Sequence, residues 1–442
     1  MKFIISAITV LFATQLFAFH EPLSNQKGKL ISYELKKSLS KEDLKAYWKS
    51  NKIPKFILPV SYGVDIYEVV YSAPWIGDST MVQASGLYFV PRADKGEKLS
   101  VAIYHHGTQL EHARAELLKD AQQGISLGLA ADGFITLMPD YYGIGKGEKR
   151  HIYQHAWSEA MSSIYMLYAV EELNEKLGVE HKPDIYLTGY SQGGHATMAT
   201  HYYLQELNDP KFKVVAASPM SGAYDMSGAQ AVVMYRPYPQ PFYLPYLLVT
   251  YQEAYHYFPG DIYEVFKHPY DSLTHVYLDG EHRFWEFNRV LPSVPSDMLK
   301  PQYVEEFKNN PEFPIRKRIE QNNVYEWVPQ APTQLCYCSS DDQVAGDNSV
   351  VAYNWMKTHG AKDVRIEKIS DIFYHNECAL FAVVKTKFFF DNVRKGKIHR
   401  KKGPPLKNWL VKLYKRKKEK EIRKRGHEDP YEPEGMRAET QK

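Results

Sequence analysis

The strongest constraint on the fold is the order of short apolar runs and longer helical patterns along the chain. The predicted strands are residues 66–71, 81–90, 101–104, 134–138, 184–188, 214–217, 334–338 and 364–369. The predicted helices are residues 111–129, 151–177, 195–207, 349–358 and 378–393. Strands that alternate with helices are typical of βαβ units. The sequence therefore predicts an α/β fold with a mostly parallel, twisted sheet flanked by helices.

This alternation is interrupted in the middle of the chain. Residues 223–331 are crowded with Tyr, Phe and Pro, most densely at 235–243. A long interruption of a regular pattern is typical of an inserted subdomain, and aromatic side chains suit a lid or cap over an apolar cleft. The alternative is a separately packed domain without a role at the site. The predicted core then has two parts, residues 19–222 and 332–395.

The first residues have the pattern of a targeting signal. Lys2 precedes an uncharged apolar stretch at 3–17, and Ala18 follows it as a small residue suited to cleavage. Residues 1–18 are predicted to be a signal peptide, with a mature chain that begins near Phe19; an uncleaved membrane anchor is the alternative. We expect an exported protein, either periplasmic or secreted.

A net charge of +3 hides a strongly basic segment near the C terminus. Residues 385–425 contain 18 Lys and Arg against three acidic residues, a net charge of +15. Such blocks are usually solvated arms, so residues 396–442 are predicted to be a basic, flexible tail. The apolar residues at 409–414 followed by positive charge suit an anionic membrane or cell-envelope surface. A disordered solubilising tail is the alternative, and a nucleic-acid partner is not expected.

Two segments match the pattern G-x-S-x-G, and their surroundings separate them. The pattern requires a buried strand, a sharp turn with small residues and a following helix, which together expose the serine hydroxyl. Ser191 follows the predicted strand 184–188 and precedes a helix, whereas Ser126 lies at the end of a helical pattern with no strand before it. Ser191 is therefore the candidate nucleophile.

A serine hydroxyl becomes a good nucleophile when a base removes its proton, so a histidine and a carboxylate are needed near it. The expected order along the chain is serine, acid, histidine. Asp341 and Asp342 lie in the turn after the predicted strand 334–338, and His375 is the only histidine between residue 360 and the basic tail. Either aspartate could orient His375.

Four segments together resemble the α/β-hydrolases of the secretory lipase type. They are residues 106–108, 139–143, 189–196 and 375–382. The resemblance covers about residues 60–395 in outline, and the insertion matches in position only.

The resemblance implies hydrolysis of carboxylic esters. Together with the signal-peptide pattern and the candidate serine, it predicts an exported esterase or lipase that forms an acyl-enzyme. It assigns Ser191 as nucleophile, His375 as base and Asp341 as acid, because the D-x-x-V spacing of the family falls on Asp341 and Val344. Asp342 remains an alternative acid. Relatives also include peptidases and esterases that act on polysaccharide side groups.

The predicted mechanism needs two N–H donors for the negative charge of the tetrahedral intermediate. One is the backbone N–H of Gln192, directly after the nucleophile. The other is expected from the loop after the third strand, where the N–H of Thr108 is the candidate. The expected partner is a small-molecule or lipid ester. A serine peptidase and a non-catalytic binding protein with the same fold are the alternatives.

The histidine pairs do not predict a metal site. His105 and His106 are adjacent, and His195 and His201 lie on one predicted helix, but no carboxylate or cysteine has zinc-site spacing around them. We expect no metal and no cofactor, and we interpret His195 as a packed structural residue.

The three cysteines lie near the predicted acid and base. Cys336 and Cys338 share one strand face and are poorly placed to bond each other. If Asp341 and His375 meet, Cys338 could reach Cys378 in a disulfide, which an exported protein permits. Buried free thiols are the alternative.

Overall fold

The computed structural model describes residues 27–54, 57–77, 80–398 and 403–427. The predicted signal peptide and the last part of the predicted tail lie outside these residues. The strands are β1 Leu30–Leu39, β2 Val64–Pro74, β3 Met81–Pro91, β4 Leu99–His105, β5 Phe134–Pro139, β6 His181–Tyr190, β7 Lys213–Met220, β8 Thr333–Cys338 and β9 Val364–Ser370.

The helices of the described residues surround the sheet and form most of the insertion. They are α1 Lys41–Ser50, α2 Ala121–Ala131, α3 Ala156–Leu177, α4 Gln192–Leu207, α5 Tyr243–Tyr255, α6 Tyr270–Tyr277, α7 Phe284–Asn288, α8 Pro301–Asn309, α9 Pro314–Glu320, α10 Asp347–Thr358, α11 His375–Arg394 and α12 Pro405–Arg425. Within the described part of the chain, no helix has both the length and the apolar character that crossing a bilayer demands.

The nine described strands form one sheet in the order β1-β2-β3-β5-β4-β6-β7-β8-β9. The pairs among β1, β2, β3 and β5 are antiparallel, and every pair from β5 through β4 to β9 is parallel. The structure confirms the predicted α/β class with a mostly parallel sheet.

The strand register brings three loops together. Tyr190 at the end of β6 lies opposite Met220 of β7, which lies opposite Cys336 of β8. The carboxyl ends of these parallel strands therefore lie side by side, and the loops that follow them meet at one edge of the sheet. Ligand sites of open α/β sheets form at this edge.

The insertion shares its core with the sheet. Leu248, Phe287 and Phe307 of the insertion are buried in the same apolar cluster as Val69 and Leu187 of the strands. Apolar contact therefore runs without a break from the sheet into the helices α5 to α9.

Before the first predicted strand, the structure contains two elements that the sequence did not predict. β1 is exposed at most positions and ends in the buried Leu39. α1 buries Leu44 and Trp48 on one side only. Apolar residues do alternate with polar ones at the start of β1, but this short pattern lies in a polar, lysine-rich segment, and the narrow buried side of α1 is likewise hidden by its lysines and acids.

Helices α2 and α3 begin ten and five residues later than predicted. In each case a side chain caps the first turn. The carboxylate of Asp120 accepts from the N–H of Gln122 at 3.1 Å, and Nδ1 of His155 accepts from the N–H of Ser158 at 3.2 Å. These caps satisfy amides that a helix start leaves free, and so they fix where each helix begins.

Part of the predicted flexible tail is the helix α12. Val411 and Ile422 of this helix are buried in a cluster with Phe373 and Phe381. Residues eleven apart lie on one side of a helix, so a narrow apolar line attaches α12 to the core. The flexible tail was predicted from its net charge, and a count of charges cannot detect two buried aliphatic residues.

Candidate active site

Ser191 lies in the tight turn between β6 and α4. Its backbone has φ 61° and ψ −124°, a left-handed conformation that costs a non-glycine residue of order 1–3 kcal/mol. Its N–H donates to the carbonyl oxygen of Met220 at 3.0 Å. Strain of this kind is expected where a serine is held at the top of a strand-turn-helix motif.

The glycines on either side of Ser191 allow the strand, turn and helix to pack closely. A Cβ on Gly193 would lie 2.0 Å from the carbonyl oxygen of His105, and one on Gly189 would lie 2.3 Å from the carbonyl oxygen of Gly193. Any other residue would push α4 away from the sheet.

Ser126, in the second G-x-S-x-G match, lies in a different environment. It is fully buried within α2, and its hydroxyl donates to the carbonyl oxygen of Gln122 at 3.3 Å. A hydroxyl bonded to its own helix does not face a cleft.

His375 and Asp341 are in direct contact. Nδ1 of His375 lies 2.9 Å and 2.8 Å from the two carboxylate oxygens of Asp341. The same carboxylate accepts from the N–H groups of Gln343 and Val344 at 3.0 Å and 2.9 Å. These two backbone donors fix the carboxylate of Asp341 in position against the imidazole.

Asp342 contacts the backbone of His375 instead of its ring. One of its carboxylate oxygens accepts from the N–H of His375 at 2.9 Å. Burial raises the pKa of Asp342 above its usual value. Of the two aspartates left open by the sequence, Asp341 orients the ring and Asp342 fixes the start of α11.

The other ring nitrogen of His375 has no polar contact. Nε2 is buried and has no hydrogen-bond partner among the described residues, so no hydrogen bond joins it to Ser191. Tyr190, the residue before Ser191, packs against the imidazole with 4.7 Å between ring centroids. Its hydroxyl donates to the carbonyl oxygen of His375 at 2.6 Å. The end of β6 therefore lies beside the imidazole.

A disulfide joins the segments that carry Asp341 and His375. Cys338, at the end of β8, is bonded to Cys378 in the first turn of α11, with 6.1 Å between their Cα atoms. The expectation of this pairing is confirmed. Cys336 is a buried free thiol, and burial raises its pKa to about 12.

The loop after β4 lies against the turn at Ser191. A Cβ on Gly107 would lie 3.8 Å from the Cβ of Ser191. The next residue, Thr108, shares a hydrogen bond of 3.1 Å between its hydroxyl and that of Tyr153. Gln192 is the first residue of α4, and a helix leaves its first amides without internal acceptors. Both predicted N–H donors thus belong to segments that flank the serine.

An apolar cavity opens beside Ser191. Most of its lining comes from the insertion. The lining includes Met226, Val233, Met234, Tyr238, Tyr243, Leu244, Leu247, Phe307 and Ile319. A second apolar cavity shares the walls Met234, Leu244, Phe307 and Ile319.

A buried polar network that the sequence did not predict lies under the turn. Nδ1 of His195 lies 2.7 Å from the carboxylate of Glu159, and Nε2 lies 2.9 Å from the carbonyl oxygen of Asn322. The side-chain amide of Gln192 donates to the other oxygen of Glu159 at 2.7 Å and lies 2.8 Å from Nε2 of His151. Burial lowers the pKa of His151 to about 3. His195 packs in the interior, as interpreted, and it is also a hydrogen-bond partner of Glu159.

No group of three or more metal-ligating side chains occurs among the residues that the structure describes. His195 and His201 both lie on α4 and are both buried, yet their rings have different surroundings. The ring of His201 packs edge-on against Trp327 at 4.9 Å between centroids, whereas His195 is bonded to Glu159.

The chain matches no protein-family model and no curated protein sequence. Three solved structures resemble it over most of their length. A protein of Legionella pneumophila that is provisionally described as a hydrolase is 27% identical, with a TM-score of 0.76 over 83% of this chain and 98% of that chain. The rice cell wall degrading esterase LipA from Xanthomonas oryzae is 23% identical, with a TM-score of 0.75 over 84% and 99%. Candida antarctica lipase A in its closed state is 14% identical, with a TM-score of 0.62 over 84% and 82%.

The sheet order, the strained serine turn and these neighbours agree with one another. The neighbours include an esterase and a lipase, and each match covers more than four fifths of this chain. The chain has the α/β-hydrolase fold.

Proposed function

We propose that the protein is an exported serine hydrolase that cleaves carboxylic esters through an acyl-enzyme intermediate. The observation that carries the proposal is the buried pair of Asp341 with Nδ1 of His375, beside the strained turn at Ser191. Because Nδ1–H points at a carboxylate, Nε2 retains its lone pair and can accept a proton. Nε2 is also the ring nitrogen without a partner among the described residues.

In the first half of the reaction, Ser191 is acylated. Nε2 of His375 takes the hydroxyl proton as Oγ of Ser191 attacks the ester carbonyl carbon. The carbonyl oxygen becomes an oxyanion that accepts from the N–H groups of Gln192 and Thr108. Collapse of the intermediate breaks the bond to the alcohol oxygen, which receives the proton from His375. The Ser191–His375 hydrogen bond has to form at this stage, as catalytic hydrogen bonds often do only in the substrate complex.

In the second half, water replaces the alcohol. His375 removes a proton from the water molecule, whose oxygen attacks the acyl carbon, and it then returns that proton to Oγ of Ser191. Asp341 stabilises the imidazolium in both halves because its carboxylate accepts the Nδ1–H throughout. The products are a carboxylic acid and the regenerated serine.

The cavity beside Ser191 supports an apolar acyl group. Its lining side chains come mainly from the insertion and include the apolar Met234, Leu244 and Leu247. An alkyl chain that leaves water for this lining gains about 0.8 kcal/mol for each buried CH₂ group. The proposed substrate is therefore a small-molecule or lipid ester with an aliphatic acyl chain.

Export is supported by two features. The signal-peptide pattern of residues 1–18 is one, although it lies outside the described residues. The disulfide between Cys338 and Cys378 is the other, because such bonds persist in oxidising compartments.

Fluorophosphonate labelling followed by intact mass and peptide mapping tests the assignment. The wild-type protein should gain one adduct on the peptide that contains Ser191. Ser191→Ala should gain none, whereas the matched control Ser126→Ala should label like the wild type. The same three proteins, assayed on p-nitrophenyl esters from acetyl to palmitoyl, report the preferred acyl length.

Two results would contradict the proposal. Faster cleavage of peptide p-nitroanilides than of any p-nitrophenyl ester would indicate a peptidase on the same residues. A folded wild-type protein that takes no label and cleaves neither class would indicate a binding protein with this fold.

A further inference from the structure

We propose that the outward face of α12 docks the protein on an anionic phospholipid surface. This inference concerns the outer surface of α12, and it stands whether or not the protein is an esterase. It rests on the way in which α12 divides its side chains between the core and solvent.

One side of α12 is attached to the protein. Asn408, Val411 and Ile422 are buried on this side. The hydroxyl of Ser370 donates to the carboxylate of Glu419 at 2.7 Å. These residues recur at helical spacing and fix which face of α12 is turned away from the core.

The opposite side carries six exposed residues at spacings of three or four, which places them in one line along the helix. This line, called the α12 stripe, consists of Leu406, Trp409, Leu413, Lys417, Lys420 and Lys424. Its first half is apolar, and Leu406, Trp409 and Leu413 are 69%, 55% and 42% exposed. Its second half is cationic. At 1.5 Å per residue, the stripe extends for about 27 Å along the surface.

This sequence of apolar and cationic groups is complementary to an anionic lipid surface. Leucine and tryptophan side chains gain by entering the boundary between headgroups and acyl chains, while lysines beside them meet the phosphates. The exposed Arg416 and Arg423 flank the cationic half. A nucleic acid would engage the cations but would leave Leu406 and Leu413 in water, so the apolar half favours lipid.

The far end of α12 is held beside the candidate active site. The ring of His427 stacks on Tyr374 with 3.3 Å between centroids, and its Nδ1 lies 3.3 Å from a carboxylate oxygen of Glu377. Tyr374 directly precedes His375. Docking through the α12 stripe would therefore fix the orientation of this rim relative to the lipid surface.

Vesicle binding tests the proposal. The protein should bind phosphatidylglycerol/phosphatidylcholine vesicles and not vesicles of phosphatidylcholine alone, measured by co-sedimentation at moderate salt. The variant Lys417→Gln/Lys420→Gln/Lys424→Gln should bind the anionic vesicles roughly 10- to 100-fold more weakly. The control variant Lys95→Gln/Lys182→Gln/Lys362→Gln removes the same charge from exposed lysines elsewhere and should bind like the wild type.

A second pair of variants tests the apolar half. Trp409→Ala/Leu413→Ala should weaken binding to the anionic vesicles about 10-fold or more. Ile31→Ala/Leu35→Ala, which truncates two exposed residues of β1, should leave binding unchanged. Urea unfolding of each variant reports whether the fold is retained.

Three outcomes would overturn the proposal. The first is a wild-type protein that does not prefer anionic vesicles. The second is a folded lysine variant of the stripe that binds as tightly as its control. The third is a folded Trp409→Ala/Leu413→Ala variant that binds the vesicles like the wild type. If the wild type also bound duplex DNA as tightly as vesicles at the same salt, this third outcome would indicate a purely electrostatic surface.

Discussion

The carboxylate of Glu159 lies 2.7 Å from Nδ1 of His195, and both side chains are fully buried. Nε2 of the same ring faces the carbonyl oxygen of Asn322. A carbonyl oxygen accepts hydrogen bonds and cannot donate them. Nε2 of His195 therefore donates to Asn322, and Nδ1 shares a hydrogen bond with the Glu159 carboxyl group, one helical turn after Ser191.

Removing the carboxyl group of Glu159 should destabilise the fold. Glu159→Ala leaves Nδ1 of His195 and the side-chain amide of Gln192 buried without this hydrogen-bond partner, and each loss should cost about 1–3 kcal/mol in the free energy of unfolding. Urea unfolding measures it. Glu175→Ala, at an exposed position of the same helix, should change the free energy by less than about 0.5 kcal/mol. Equal effects of the two substitutions would show that the buried contacts of Glu159 do not stabilise the fold.

The two neighbouring aspartates should differ in their effect on turnover. Asp341→Asn removes the acceptor that holds the imidazole of His375, and kcat for a p-nitrophenyl ester should fall by roughly ten-thousand-fold. Asp342→Asn retains that contact and weakens only a bond to the backbone, so kcat should fall by less than about ten-fold. A larger loss with Asp342→Asn than with Asp341→Asn would reverse the assignment of the acid.

The disulfide should contribute substantially to stability. It closes a loop between residues 40 apart in sequence, and the loss of chain entropy in the unfolded state corresponds to about 4 kcal/mol. Cys338→Ala/Cys378→Ala should lose about this much in urea unfolding under non-reducing conditions. Dithiothreitol should lower the stability of the wild type and leave that of the double variant unchanged. If dithiothreitol affected both proteins equally, the bond would not be the cause.

Acid should destabilise the protein below about pH 6.5. Burial lowers the pKa of His105, His151, His155 and His201 to about 3. Between about pH 3 and 6.5 the unfolded chain binds these protons and the folded chain does not. The free energy of unfolding therefore rises with pH in this window and falls on acidification, by about 1.4 kcal/mol per pH unit for each histidine.

Substitution of one of these histidines isolates its share. His201→Asn removes a buried imidazole whose Nδ1 has no partner among the described residues. Between about pH 7 and pH 5 this variant should lose about 2 kcal/mol less than the wild type. A pH dependence identical to that of the wild type would mean that His201 is protonated in the folded state.

The sequence predicted the sheet well where the signal is local, and it named the two residues, Asp341 and His375, that the structure brings into contact. Short apolar runs marked eight of the nine described strands, because most residues of a buried strand are apolar. Ser191 was separated from Ser126 by the strand before it. The resemblance selected Asp341 over Asp342, and the hydrogen bond to the ring of His375 agrees with that choice.

Features that depend on distant segments could not be predicted. His195 contacts Glu159 at 36 residues' separation and Asn322 at 127 residues' separation. No local pattern distinguishes a buried glutamate in the first turn of α3 from a solvent-exposed one. The position of α12 has the same explanation, since two buried aliphatic residues among many lysines give no visible periodicity.

The contact between His195 and Asn322 attaches the insertion to the helix that follows the serine turn. Asn322 belongs to the insertion, and its carbonyl oxygen accepts from Nε2 of His195, four residues after Ser191. Swinging the whole insertion outward would break this hydrogen bond and expose the apolar core that the insertion shares with the sheet. If the cavity beside Ser191 widens, we therefore expect individual loops and side chains around its opening to move while the hydrogen bond under the turn stays formed.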